Sequence, residues 1–214
     1  MIIVYGRASS ANVQTVMWTL AELGLACERL DYGHGFGGND TPEYLAMNPN
    51  GLVPALRDGD LVIWESAAIM RYLSARYADG AFWPRDPAAR APLDMWAEWC
   101  RTTLYPRLIG AVFMPLVRVA PSKRDPAAIA RAVEALKPVM RMLDQRIGEG
   151  PWMAGEAFTF ADIMAGGLLY RYYTLDFDKA PTPALDAYHQ RLVARPAYAE
   201  HVMISYEALR VKDG

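Results

Sequence analysis

The chain has 214 residues, of which 53% are apolar and 21% charged, with a formal net charge of −2. That composition supplies a sizeable core and excludes a disordered, collagen-like or strongly basic nucleic-acid-binding chain. At about 150 residues per domain, the length allows one large domain or two small ones. Cys27 and Cys100 stand far apart with no Cys-x-x-Cys or Cys/His spacing, so neither a disulfide scaffold nor a metal site is expected. The opening MIIVYGRASS has no basic segment and only a short apolar run, and no stretch is apolar over the roughly eighteen residues that a membrane helix needs. A cytoplasmic protein with neither membrane nor nucleic-acid partners is expected.

Strand-like and helix-like patterns alternate at the start. Ile2–Tyr5 is a short β-branched run suited to a buried strand. Val13, Val16, Met17, Leu20 and Leu23 follow at helical spacing, with Ser10 or Asn12 as the N-cap and Gly24 as the stop. Glu28–Tyr32 reads as a second strand. Thr41-Pro42-Glu43 reads as an N-cap followed by a first-turn proline, opening a short helix that ends before Asn48-Pro49. Asp58-Gly59-Asp60 separates the apolar runs Val53–Arg57 and Leu61–Trp64, a hairpin signal. Ser66–Tyr77 is helical in pattern. The order predicts a small α/β domain with a mixed sheet over residues 1–79.

Residues 80–92, with Pro84, Pro87 and Pro92, read as a linker. Beyond them no strand alternation remains, and 93–214 is predicted to be an all-α domain. Its helices are expected at Leu93–Val119 (kinked at Pro106 and Pro115), Pro126–Ile147, Thr159–Tyr173 and Pro183–Ala194, with a short terminal one. Thr159-Phe160-Ala161-Asp162 has the form of a capping box.

Asn48-Pro49-Asn50-Gly51-Leu52-Val53-Pro54-Ala55-Leu56, followed by Ile63-Trp64-Glu65-Ser66-Ala67-Ala68-Ile69, resembles the glutathione-binding half of cytosolic glutathione transferases. The resemblance covers the whole chain: a thioredoxin-like N-terminal domain, a linker and a helical-bundle C-terminal domain. Phe158–Ile163 resembles that family's N-capping element, and Arg195-Pro196-Ala197-Tyr198 a recurrent element near its C-terminus. It implies glutathione as cosubstrate with no metal, a homodimer, a detoxification role and a small hydrophobic electrophile as second substrate.

On residue chemistry alone, Pro54 cannot donate within a strand and marks an edge or special position, or an ordinary strand start. The resemblance implies a cis Val53-Pro54 bond that presents the main chain of Val53 to the tripeptide as an added strand. Glu65-Ser66 before a helix reads as an N-cap or as an anion site; the resemblance assigns the γ-glutamyl end to Glu65 and Ser66. Asn50, Leu52, Val53 and Pro54 complete the implied glutathione site. Leu52 stands where many relatives carry a lysine, arginine or glutamine. The glycine carboxylate must then use Asn50, Asn39 or His34, or bind more weakly.

A thiol with a pKa of about 8.5 is only a few per cent thiolate at neutral pH. Lowering it by about 2 pH units takes roughly 2.7 kcal/mol, which one charge-assisted hydrogen bond beside a helix N-terminus nearly supplies. Ser10-Ala11-Asn12 is similar to the Ser-x-Asn pattern of bacterial and theta-like transferases, so Ser10 is the implied thiolate partner and Asn12 a second donor. Ser9 is the alternative, after the paired serines of the zeta branch; Tyr5 is read as structural. The residues also permit Ser10 and Asn12 to be caps only.

The electrophile is expected on the first long helix after the linker, at Trp99, Thr103 and Tyr105. Trp96 and Phe113 continue the aromatic series there, Arg101 and Arg107 offer polar contacts, and Tyr170 and Tyr173 stand further off. The same residues at helical spacing also suit a core stripe. Two alternatives remain at this level: a glutathione-dependent disulfide or peroxide reductase or dehalogenase, and a non-catalytic relative.

Overall fold

The computed structural model describes residues 1–148 and 150–213. Its N-terminal part runs β1 (Ile2–Tyr5), α1 (Ala11–Glu22), β2 (Cys27–Leu30), α2 (Pro42–Met47), β3 (Ala55–Asp58), β4 (Leu61–Trp64) and α3 (Ser66–Tyr77). The sheet order is β2-β1-β3-β4, with β1 parallel to β2 and the other neighbours antiparallel. This is the mixed sheet that the alternation of patterns predicts, in the thioredoxin-like form that the resemblance implies.

Two strand boundaries differ from expectation, both because β1 is short. Its last residue, Tyr5, pairs with Leu30 on one side and Ala55 on the other. Asp31 and Tyr32 therefore continue as loop, and Val53 and Pro54 lie outside the ladder. The Asp58-Gly59-Asp60 hairpin forms as read, with Asp58 opposite Leu61 and Gly59 at φ 61°. Asp58 then accepts from the hydroxyls of Tyr72 (2.8 Å) and Tyr77 (2.5 Å), which ties α3 onto the hairpin.

The C-terminal part is all helix. Its first helix begins inside the stretch expected to be linker: α4 spans Pro87–Trp99, and the Asp86 carboxylate caps it by accepting from the Ala89 N–H at 3.0 Å. Pro87 is the first-turn proline of that helix rather than a breaker. The helix continues through wider, π-type turns over Cys100–Leu104 and Pro106–Phe113 into α5 (Met114–Arg118). Pro106 opens the second of these turns. α6 (Pro126–Ile147), α7 (Phe160–Thr174), α8 (Pro183–Val193) and α9 (Pro196–His201) follow.

One apolar cluster runs through both parts. Val13, Val16, Trp18 and Leu20 of α1 belong to it together with Ile163, Leu168 and Leu169 of α7. α7 is buried on nearly all sides. Gly166 and Gly167 make that packing possible: a Cβ at Gly166 would stand 2.8 Å from Trp18, and one at Gly167 would stand 2.5 Å from Thr15 Cγ2. At the start of α7, Asp162 accepts from the N–H of Thr159 (2.7 Å) and of Met153 (2.8 Å) and from the Tyr188 hydroxyl (3.0 Å). Burial nonetheless raises its carboxyl to about 6. No helix among the described residues is long and apolar enough to cross a membrane.

Candidate active site

Ser10 holds the N-cap position of α1 with extended backbone (φ −79°, ψ 125°), and its carbonyl accepts from the Gln14 N–H at 2.9 Å. Its side chain makes no cap hydrogen bond. The hydroxyl is therefore not spent on the helix, although the residue is nearly buried. The loop before it is tightly located. Gly6 approaches Val13 so closely that a Cβ would meet its Cγ2 at 2.5 Å, and the Arg171 guanidinium of α7 donates to the Ser9 carbonyl at 3.0 Å.

Facing this loop is the segment from Asn48 to Pro54, held by a small polar network. The buried Asn48 amide donates to the Leu52 carbonyl (2.6 Å) and accepts from the Asn50 N–H (3.1 Å) and side-chain amide (3.1 Å). The Tyr44 hydroxyl also donates to the Leu52 carbonyl, at 2.7 Å, and Asn39 donates to the Gly51 carbonyl at 2.6 Å. These bonds use the groups of Asn39 and Asn50 to shape the segment. Leu52 itself is 66% exposed. The Val53-Pro54 bond is cis, as the resemblance implies, and among the described residues Val53 takes part in no backbone hydrogen bond. Its N–H and C=O are thus open to an extended ligand.

The third wall is the N-terminus of α3. Ser66 is buried there in the first turn, next to free helix N–H groups. Glu65, at φ 69°, precedes it and accepts from the Arg101 guanidinium at 3.1 Å, so a helix of the C-terminal part closes this end.

These pieces enclose one open cavity of about 450 Å³. Ser10, Asn12, Asn50, Leu52, Val53, Pro54, Glu65 and Ser66 all line it, together with Tyr105. Asn12 and Tyr105 also line a smaller adjoining space of about 100 Å³, with Met164 and Leu168. The structure separates the three residues expected for the electrophile. Tyr105 reaches the cavity, whereas Trp99 and Thr103 do not; Trp99 packs edge-on against Trp96 beside a groove on the outer side of α4. The reason is helical phase: residues 99 and 103, four apart, share a face, and 101, 105 and 109 share another. Arg101 is accordingly on the cavity side, while Arg107 donates to the Thr103 carbonyl at the surface.

Tyr5 packs on Tyr32 and is buried, the structural role expected of it. Tyr170 packs on Tyr206, and Tyr173 stacks on His189 at 4.0 Å. The Cys100 thiol is buried and pushed well above its ordinary range; Cys27 is raised by partial burial. Neither is a reactive thiolate in this setting.

Sequence reading missed Arg7, Met114 and Arg118, which line the main cavity, and Arg171 and Gln14 beneath it. Only Arg7 had a local signal, its place at the start of the Ser9-Ser10 loop. The others arrive from α1, α5 and α7 by tertiary packing.

Residues 1–75 match the glutathione S-transferase N-terminal domain and residues 104–196 the glutathione S-transferase C-terminal domain. The chain belongs to the glutathione S-transferase family. It is 40% identical over 206 residues to glutathione S-transferase GstB of Escherichia coli (strain K12), covering 95% of this chain and 99% of that protein. Identity to glutathione S-transferase 3 of Zea mays is 32%, over 93% of this chain and 92% of that one. Among solved structures, the theta class glutathione S-transferase of the citrus canker pathogen Xanthomonas axonopodis pv. citri, with glutathione bound, superposes with a TM-score of 0.90 at 39% identity. That match covers 95% of this chain and 98% of the other. In this glutathione S-transferase the loop that carries Ser10, the Val53 main chain and the α3 N-terminus stand around the same cavity.

Proposed function

We propose that this glutathione S-transferase binds reduced glutathione along Val53, with its γ-glutamyl carboxylate at Ser66 and its ammonium at Glu65, and activates the thiol through Ser10 and Asn12. The observation that carries the reading is the Ser10 hydroxyl, free of any capping bond beside the α1 N-terminus and lining the same cavity as Ser66. A hydroxyl that donates to sulfur stabilises the thiolate over the thiol, and the helix end adds to that preference. With Ser10 and Asn12 in these roles the protein works as a Ser-x-Asn transferase. Residues 1–79 supply the glutathione half and the helical part from Pro87 onward the electrophile half, joined by 80–86.

In the reaction the thiol loses its proton to solvent and the sulfur lone pair forms a C–S bond with an electrophilic carbon. With a halide as leaving group, the halide departs with the electron pair of the broken bond. Tyr105 and the adjoining apolar side chains hold the electrophile. The working form is a cytoplasmic homodimer, in which a second copy covers Leu61, Trp64 and Met95, apolar side chains left exposed on β4 and α4.

The test is turnover of chlorodinitrobenzene by the wild type and by Ser10→Ala. Loss of one hydrogen bond to a charged group lowers kcat/KM at neutral pH by about ten- to a hundredfold, with the apparent pKa of the bound thiol raised. An unchanged rate removes Ser10 from the mechanism, and failure to bind glutathione removes the reading as a whole.

A further inference from the structure

Within a chain of net charge −2, the cavity wall beside Ser10 is locally cationic. Arg7, from the loop after β1, and Arg118, the last residue of α5, line both the main cavity and a side chamber of about 160 Å³. Ser10, Tyr105 and Met114 border both spaces too. Among the described residues neither arginine forms an ion pair. Among the described residues the one carboxylate on the cavity, Glu65, is engaged by Arg101. Arg7 is half-buried with its Nε buried and unpartnered. Arg118 donates to His34 Nε2 at 2.9 Å, which fixes the guanidinium and requires that imidazole to be neutral. Arg7 is partly desolvated and Arg118 repels it with no counter-ion between them, so burial and Arg118 together pull Arg7 below its ordinary value. A bound anion relieves both costs, and the planar donor forks match a carboxylate.

We infer that Arg7 and Arg118 form a carboxylate subsite, and that the second substrate is an electrophile carrying a carboxylate. Its carbon skeleton lies over Met114 and the Tyr105 ring, with the reacting carbon toward Ser10. The inference rests on the glutathione-transferase reading above and gives it a substrate class. The side chamber favours this source of the anion over the glycine end of glutathione: Ile109 and Phe113 of the long helix line it, and the residues of the 48–54 segment do not.

The experiment uses a matched pair, 4-chloro-3,5-dinitrobenzoate and 4-chloro-3,5-dinitrobenzamide, with reduced glutathione, each kcat/KM divided by the uncatalysed rate. The expected wild-type preference for the benzoate is about tenfold or more. Arg7→Gln and Arg118→Gln each cut that ratio by about tenfold; Arg141→Gln, on the exposed face of α6, leaves it in place. The non-reactive 3,5-dinitrobenzoate competes with the electrophile in the wild type more tightly than 3,5-dinitrobenzamide does, a measurement that needs no variant. Equal use of both electrophiles overturns the subsite while the transferase reading stands. No turnover of either overturns the transferase reading and the subsite with it. Calorimetry with glutathione and with γ-glutamylcysteine separates the two carboxylates. Should the arginine variants weaken glutathione by about tenfold but bind γ-glutamylcysteine like the wild type, the pair belongs to the glycine end and the inference fails.

Discussion

Arg171 reaches from the C-terminal half to the loop that carries the candidate nucleophile-activating serine, donating to the Ser9 carbonyl at 3.0 Å. Its other terminal nitrogen donates to the Gln14 side-chain carbonyl at 2.7 Å. The guanidinium lies over Phe113, 5.4 Å from the ring centroid. Burial lowers it to about 10, so it remains a cation at neutral pH. No residue forms an ion pair with it among those described. Its partners are dipoles, and they belong to the first turn of α1 and the loop before it.

Replacing it tests whether the helical half locates the reactive loop. Arg171→Met removes both bonds and leaves two buried acceptors unsatisfied, a loss of about 2–4 kcal/mol in stability. The expected result is a fall in Tm together with a fall in kcat larger than any change in KM for glutathione. Arg171→Lys, able to reach one acceptor, is intermediate. A variant with normal kcat would limit Arg171 to a structural role.

The α3 N-terminus makes a separate prediction. Ser66→Ala deletes one hydrogen bond to the γ-glutamyl carboxylate and leaves the free helix N–H groups, so the dissociation constant for glutathione rises by about tenfold. Steady-state kinetics should show KM for glutathione moving more than kcat.

Gly167 lies mid-helix, where alanine is usually better by about 1 kcal/mol. Here a Cβ would stand 2.5 Å from Thr15 Cγ2. Overpacking of that kind costs about 1–3 kcal/mol, so the steric term wins and Gly167→Ala lowers Tm. Gly167→Ala with Thr15→Ser, which removes the opposing methyl, should recover the loss; a Gly167→Ala that stabilises the protein would contradict the close approach.

Asp162 gives the stability a pH dependence of known sign. Its folded value of about 6 lies above the ordinary 3.8, so the folded state retains a proton that the unfolded chain releases. The stabilising contribution is full below the lower value and is lost as pH rises through about 6, by roughly 2–3 kcal/mol across that window. Denaturant titrations from pH 4 to 7 should show this slope in the wild type and not in Asp162→Asn. The variant is also less stable overall, because its NH2 group faces two donors where a carboxylate oxygen accepted from both.

Several of these features are legible in the amino-acid sequence alone. Ser66–Tyr77 and Pro126–Ile147 form with the boundaries read from the sequence because each has a clear start signal and an apolar stripe. The capping box at Thr159 likewise marks a helix beginning at Phe160. Pro87 is less informative, since proline at a first turn and proline as a breaker look alike until the Asp86 cap is seen, and Pro92 lies inside α4. The residues proposed for glutathione lie in three short segments and can be read locally. The electrophile side cannot: a series of aromatics on one helix does not reveal which phase faces inward, and Arg7 and Arg118 meet only because α5 ends beside the β1–α1 loop.

The contact of Gly166 and Gly167 with α1 also bears on how such a protein diversifies. The inner helix of the N-terminal part and the central helix of the C-terminal part fit through side chains on one and missing side chains on the other. A helical half borrowed from a distant relative would have to bring its own relief for Trp18 and Thr15. Exchange at the connecting segment is therefore a poor route to new substrates. Change can instead accumulate on α5 and the outer turn of the long helix, where Met114 is exposed and Arg118 terminates the element, without disturbing the seam that holds the serine loop in place.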